Sequence, residues 1–190
     1  MDEAHPLQGK SPYSASKIGA DKMVEAFHLT YGLPVTTVRP FNTYGPRQSS
    51  RAIVPTIITQ SLTADDLKLG NLSPTRDLNY VLDTVGGFVG AAEHEEAVGR
   101  VVNVGSGRET SIGDLAAAIL SLVGRDLPIV LDDARVRPNN SEVERLRADN
   151  TLAKDLLGWT PRHNLEEGLA ATIKWVEEHL EQFRVGAYVT

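Results

Sequence analysis

The strongest constraint on the fold is a repeated change of period along the chain. Ala20, Val24, Phe27 and Tyr31 recur at helical spacing, with Met23 and Ala26 widening the stripe, and the next run, Val35-Thr36-Thr37-Val38, is β-branched throughout. Residues three and four apart share one helix face, whereas an unbroken β-branched run suits a buried strand. The alternation continues. Helices are expected over residues 12–31, 53–62, 111–123, 151–157 and 165–183, and another from Asp83, as its cap, through Val85, Phe88, Val89 and Ala92. Strands are expected over residues 35–38, 67–69, 101–104 and 128–131, with 78–82 extended. Residues 1–11 and 39–51 read as loops. The punctuation agrees: Pro12 suits a first helical turn, Gly32 with Pro34 stops that helix, Ser111 faces Asp114 three residues on, and Gly158 ends the short helix. In the closing helix Leu165, Leu169, Ile173, Val176, Leu180 and Phe183 form the buried face. Strands alternating with helices require an α/β architecture with some parallel sheet. Only one or two strands look central, so the sheet reads as incomplete.

Charge and composition narrow the chemistry. Nineteen basic against 25 acidic residues give a net charge of −6, which argues against general nucleic-acid binding but leaves room for a local basic pocket. There is no cysteine, which excludes a thiolate metal site and a cysteine nucleophile and fits a reducing compartment. No apolar run is long enough to span a membrane, and Met1 to Pro6 has neither a basic nor an apolar export region, so a cytoplasmic location is expected. The five histidines show no metal-ligand spacing; His94 with Glu95 and Glu96 reads as a solvated helix end, and no metal is expected.

Three motifs carry possible chemistry. Tyr13 and Lys17 stand one helical turn apart on one face, about 6 Å along the axis. A phenol is a poor base at its ordinary pKa near 10, and an ammonium beside it in a dry cleft is the right influence to ready it for proton transfer. Alone, the pair is no more than a common surface pairing. Gly105-Ser106-Gly107-Arg108-Glu109-Thr110 follows a strand and precedes a helix as a dinucleotide fingerprint does, but Thr110 stands where glycine or alanine is needed and no acidic residue ends a following strand. It reads as a tight turn. The loop of residues 39–48 follows a strand, where α/β folds bind ligands, and Asn42, Arg47 and Gln48 offer donors. With Arg76 and Arg137 it sketches a diphosphate pocket, since guanidinium matches phosphate oxygens. Trp159 reads as a packing anchor.

The stretches SPYSASKIGADKM (11–23), VTTVRPFNTYGPRQ (35–48), TRDLNYVLD (75–83), VVNVGSG (101–107) and SEVERLRADNTLAKDLLGWTP (141–161), with the closing amphipathic helix, resemble the extended short-chain dehydrogenase/reductases of the NAD-dependent epimerase/dehydratase family. RPFNTYGPRQ, TRDLNYV and SEVERL resemble the nucleotide-sugar 4,6-dehydratases in particular, especially those acting on UDP- or GDP-N-acetylhexosamines. The resemblance implies Tyr13 as acid/base at the sugar C4 hydroxyl and Lys17 as its partner and a holder of the nicotinamide ribose. It places Pro40, Phe41 and Asn42 by the nicotinamide, with the Asn42 side chain on the substrate phosphate. Arg51 and Ile53 would lie near the nucleotide base, and Arg76 and Arg137 would clamp the diphosphate. The implied reaction moves hydride from C4 to NAD, eliminates water across C5–C6 and returns hydride to C6; a 4-epimerase or a non-catalytic, dimerising nucleotide-sugar binder are the alternatives. The implied fold is an incomplete Rossmann-like parallel sheet, lacking its N-terminal glycine-rich half, plus a small α/β substrate-binding domain. Residues 1–50 would belong to the NAD-binding part, 51–190 mainly to the substrate part, and 83–105 would return to the sheet. A homodimer through the helix 12–31 is expected. The sequence resembles only the C-terminal portion of the family, so weak NAD binding and little activity are expected of this polypeptide alone.

Overall fold

A computed structural model of the chain describes residues 1–135 and 143–183. The elements in chain order are α1 (Pro12–Tyr31), β1 (Thr37–Pro40), β2 (Asn42–Tyr44), α2 (Ile53–Thr63), β3 (Leu67–Leu69), β4 (Thr75–Arg76), β5 (Leu78–Tyr80), α3 (Val81–Glu93), β6 (Val101–Val104), β7 (Thr110–Ser111), α4 (Ile112–Val123), β8 (Ile129–Leu131), α5 (Thr151–Leu157) and α6 (Leu165–Glu178). The strands form four pairs. β1 with β6, β2 with β5 and β3 with β8 are parallel; β4 with β7 is antiparallel. The α/β architecture with parallel sheet follows from these pairings.

β1 begins two residues later than the β-branched run. Val35 and Thr36 are tied to the turn before β6 instead: Gly99 N–H donates to the Val35 carbonyl at 2.7 Å and Thr36 Oγ1 donates to that of Ala97 at 2.8 Å. The ladder then runs from Thr37 opposite Val101 to Pro40 opposite Val104. β2 lies in a stretch that reads as loop, because a three-residue strand is set by its partner more than by its own composition.

Two apolar clusters hold the chain together. One joins α2, α4 and α6 to β3 and β5 through Ile57, Ile58, Leu67, Leu115, Ile119 and Leu169. The other packs α3 and α5 on β6 through Ala91, Val102, Val104, Ala153, Leu157 and Trp159, and the Trp159 indole donates to the Asp83 carbonyl at 2.9 Å. The buried face of α6 is the expected one, but the helix stops at Glu178. A 3-10 turn, Leu180–Gln182, then carries Phe183 to the first cluster.

Two local expectations are corrected. α1 has the expected ends, with a Ser11–Ser14 capping box and Gly32 at φ 66°, but it buries no residue. Its inward side is Ser14, Ile18, Asp21, Val24 and His28, while Met23, Phe27 and Tyr31 are exposed. Polar anchors set this rotation. Asp21 pairs with Arg39 at 2.8 Å, and His28 lies against Gly99, where a Cβ would stand 2.5 Å from the ring nitrogen. Asp83 is not the cap of α3; Tyr80 holds that position. Asp83 sits buried in the first turn, where its carboxylate accepts the His163 backbone N–H at 3.0 Å and meets His163 Nδ1 at 2.9 Å.

Gly168 marks the tightest approach in the first cluster. A Cβ there would fall on the Tyr44 phenol oxygen and lie 2.9 Å from the Tyr80 ring. Both rings are buried, so neither can yield freely. Gly168→Ala is expected to cost about 1–3 kcal/mol by overpacking, read as a lower urea midpoint at unchanged slope.

Candidate active site

The parallel pair β2–β5 sets Asn42 opposite Leu78, and the antiparallel pair β4–β7 sets Arg76 opposite Thr110. Between them and the N-terminus of α2 opens a cavity of about 310 Å³. It brings together four residues expected at the site, namely Asn42, Arg51, Ile53 and Arg76. Arg137 lies outside the described residues. A third guanidinium comes from Arg135, in the 3-10 turn after β8. The arginine-rich stretch around Arg137 was the signal for it; the bend that brings it in was not legible. That bend needs Gly70, because a Cβ there would stand 2.6 Å from the Arg135 carbonyl oxygen. Asp132 braces the Arg135 guanidinium at 3.0 Å, and Arg76 Nη1 donates to the carbonyls of Thr75 and Val143 at 2.9 and 2.6 Å.

The described residues lining this cavity include three arginines and no carboxylate, on a chain whose net charge is −6. Gathered guanidinium groups with apolar walls from Ile53, Val54 and Leu78 suit a dianionic group attached to a flat or apolar body. Two expected donors are used otherwise. Gln48 borders the cavity, but its amide nitrogen turns back to the Thr43 carbonyl at 2.9 Å. Arg47, at φ 67°, bends the loop and lines a different depression against Trp175 and His179. Tyr44 is no proton donor for catalysis. Burial, with Tyr80, Asp83 and Glu167 nearby, pushes its phenol well above the ordinary value, and its hydroxyl donates to the Leu165 carbonyl.

The glycine-rich turn after β6 is a tight turn, and the structure shows why it holds no phosphate. Asp77 fills it. This fully buried carboxylate accepts from Ser106 N–H at 2.7 Å, Ser106 Oγ at 2.6 Å, Gly107 N–H at 2.9 Å and Ala148 N–H at 2.9 Å. The backbone donors that would face a pyrophosphate are already spent on a side chain of this chain. Sequence reading passed over Asp77 as the neighbour of Arg76.

Tyr13 and Lys17 do share a face of α1, with the Lys17 ammonium 5.5 Å from the centre of the Tyr13 ring. Tyr13 is 72% exposed, so water screens the pair; the dry setting invoked from the sequence is not supplied by the described residues around it. Pro40 ends β1, and Phe41 N–H extends the ladder to the Val104 carbonyl at 2.9 Å. This fixes the strand end from which Asn42 enters the cavity.

The sequence profile described as GDP-mannose 4,6 dehydratase matches residues 1–172. A dTDP-glucose 4,6-dehydratase from Xanthomonas campestris is 33% identical over 91% of this chain and 51% of its own length. A trifunctional UDP-glucose 4,6-dehydratase/epimerase/reductase of Arabidopsis thaliana is 36% identical over 94% of this chain and 26% of its own. The chain thus spans about half the length of the first relative and a quarter of the second. Among solved structures, the dTDP-glucose 4,6-dehydratase of Streptomyces venezuelae with NAD and TYD bound superposes with a TM-score of 0.85 at 29% identity, over 97% of this chain and 56% of that one. A UDP-glucuronic acid 4-epimerase from Bacillus cereus, in complex with UDP-glucuronic acid and NAD, gives 0.82 at 27% identity, over 92% and 54%. By its sequence, its Rossmann-like fold and these relatives, the chain belongs to the GDP-mannose 4,6 dehydratase family of NAD-dependent epimerases/dehydratases.

Proposed function

We propose that the chain carries the proton-transfer pair and the diphosphate-binding cavity of an NAD-dependent nucleotide-sugar 4,6-dehydratase. The observation that carries this reading is the cavity that brings Arg51, Arg76 and Arg135 together with Asn42. Guanidinium groups gathered on apolar walls suit a nucleoside diphosphate group better than a neutral sugar. Arg76 and Arg135 would hold the diphosphate, with Asn42 donating to one of its oxygens. Arg51 and Ile53 would meet the base.

Tyr13, Lys17 and the Pro40–Asn42 segment suit the nicotinamide end of NAD: a paired phenol and ammonium on one face, and a rigid strand end. The Gly105–Thr110 turn does not suit its pyrophosphate, because Asp77 fills it. When bound, NAD supplies the acceptor and later the donor of hydride. Tyr13 Oη would take the proton of the sugar C4 hydroxyl, and Lys17 Nζ, on the same face of α1, would hold the ribose hydroxyls. The exposed face of α1, with Met23, Phe27 and Tyr31, would pair with that of a second copy. A 4-epimerase is the second reading, favoured by a UDP-glucose 4-epimerase of Mycolicibacterium smegmatis that is 35% identical over 91% of this chain.

Calorimetric titration with UDP-, GDP- and dTDP-linked sugars tests the cavity. Arg76→Ala is expected to weaken the best ligand about tenfold to a hundredfold, the loss of one charge-assisted phosphate contact. Equal affinity in wild type and variant would remove the diphosphate from this cavity.

A further inference from the structure

Glu109 and Arg145 stand outside the lining of the arginine cavity, yet a continuous series of contacts joins them to it. β4 is two residues long, and successive side chains of a strand face opposite ways. Arg76 lines the cavity. Thr75, beside it, donates its hydroxyl to Glu109 Oε2 at 3.0 Å. The same carboxylate accepts both prongs of the Arg145 guanidinium: Nε donates to Oε2 at 3.0 Å and Nη2 to Oε1 at 2.6 Å. Glu109 precedes β7, which pairs with one edge of β4, and Arg145 belongs to the segment 143–146, bridged to β4 at Thr75. The pair therefore clasps three neighbouring segments of chain together.

What the clasp fixes can be followed bond by bond. Thr75 N–H donates to the Glu144 carbonyl at 2.8 Å, and Leu146 N–H donates to the Thr75 carbonyl at 3.2 Å. Arg76 Nη1 then donates to the Val143 carbonyl at 2.6 Å. A planar guanidinium held at one nitrogen by a fixed carbonyl has its direction set, so the seat of the segment 143–146 decides how Arg76 is aimed. Stability is not what the clasp supplies: the Arg145 side chain is 70% exposed, and exposed ion pairs add little to folding. The two-pronged geometry supplies direction instead.

We propose that Glu109, acting through Arg145, is a positioning residue for the diphosphate: the clasp seats the segment 143–146 on β4, and that segment aims Arg76. The inference rests on the reading of the arginine cavity as the diphosphate site. Calorimetry of wild type and Glu109→Gln with the tightest-binding of the UDP-, GDP- and dTDP-linked sugars tests it. The substitution keeps the size of the side chain but puts an NH₂ where the guanidinium or the Thr75 hydroxyl needs an acceptor. It also makes a chain of net charge −6 one charge less negative, which by itself strengthens anion binding. Positioning predicts the opposite sign, an affinity about threefold to tenfold weaker. In an Arg76→Ala background Glu109→Gln is expected to have no further effect, because a residue acting through Arg76 then has nothing to aim, whereas a general loosening would weaken binding in both backgrounds. Without ligand, hydrogen exchange of the Thr75 and Leu146 amides is expected to quicken in Glu109→Gln while the urea midpoint barely moves. Unchanged or tighter binding, or an equal loss in the Arg76→Ala background, would overturn the positioning role. Unchanged exchange at both amides would overturn the clasp, whatever binds. A wild type that binds none of the three sugars would overturn the diphosphate reading of the cavity and the coupling together.

Discussion

Asp77→Ala is expected to be the most destabilising single substitution in the chain, costing about 3–5 kcal/mol, a large part of the 5–15 kcal/mol typical of a domain. Asp77 has no exposed surface, and its two oxygens accept four hydrogen bonds from Ser106, Gly107 and Ala148. These donors come from two separate segments, the turn after β6 and the approach to α5, so one carboxylate ties both to the end of β4. The four bonds cannot simply be summed, because burying a carboxylate costs several kcal/mol by itself. Removing it is different. Three backbone N–H groups and a hydroxyl are then left facing a small void. Nor can the turn close over the gap, since Gly105 already sits where a Cβ would lie 2.6 Å from the Ala148 Cβ. Asp77→Asn keeps one acceptor oxygen but turns an NH₂ toward N–H donors, so it recovers only part of the loss. Urea denaturation followed by circular dichroism measures both. A change below about 1 kcal/mol for Asp77→Ala would show that water or a backbone shift satisfies the turn instead.

The same residue shows where the sequence was readable and where it was not. Periodicity and end signals report local structure, and there they served well: Ser111 caps α4, Gly158 caps α5, Pro12 opens α1, and Leu169, Ile173 and Val176 lie buried on α6. The strands were less legible, because β2 exists only through its pairing with β5 and β1 takes its register from β6. Helix faces depend on what they meet. The apolar stripe of α1 is real in the sequence, yet Asp21 and His28 are the residues that anchor it. The site divides likewise. Tyr13 with Lys17 is a spacing one helical turn long and was visible. The meeting of Asn42, Arg51, Arg76 and Arg135 in one cavity depends on three loops converging, which no local pattern encodes. The Asp77 carboxylate in the Gly105–Thr110 turn and the Glu109–Arg145 clasp are products of that same convergence.

Tyr13→Phe is expected to lower the rate of hydride transfer from a nucleotide-sugar substrate by about 10²- to 10⁴-fold, the usual contribution of a positioned acid/base. The substitution removes one oxygen from a side chain that is 72% exposed on a helix with no buried residue, so the fold has no reason to respond. Affinity for the nucleotide sugar should also hold, because the diphosphate contacts proposed above lie in the cavity of Arg51, Arg76 and Arg135. A fall in rate at constant affinity is the signature of a group used in the transition state rather than in binding. Lys17→Met should reproduce part of the effect, since it removes the ammonium that shares the α1 face with the phenol, 5.5 Å from the centre of its ring. NADH absorbance in single-turnover mixing, with calorimetry of the sugar nucleotide alongside, separates rate from affinity. The wild-type protein decides between readings first. If it binds a nucleotide sugar and reduces no NAD, the chain acts as a binding module and Tyr13 has no proton to move. If it turns over and Tyr13→Phe turns over equally well, the phenol is a bystander and another group near the Asn42 end of the strand must take the C4 proton.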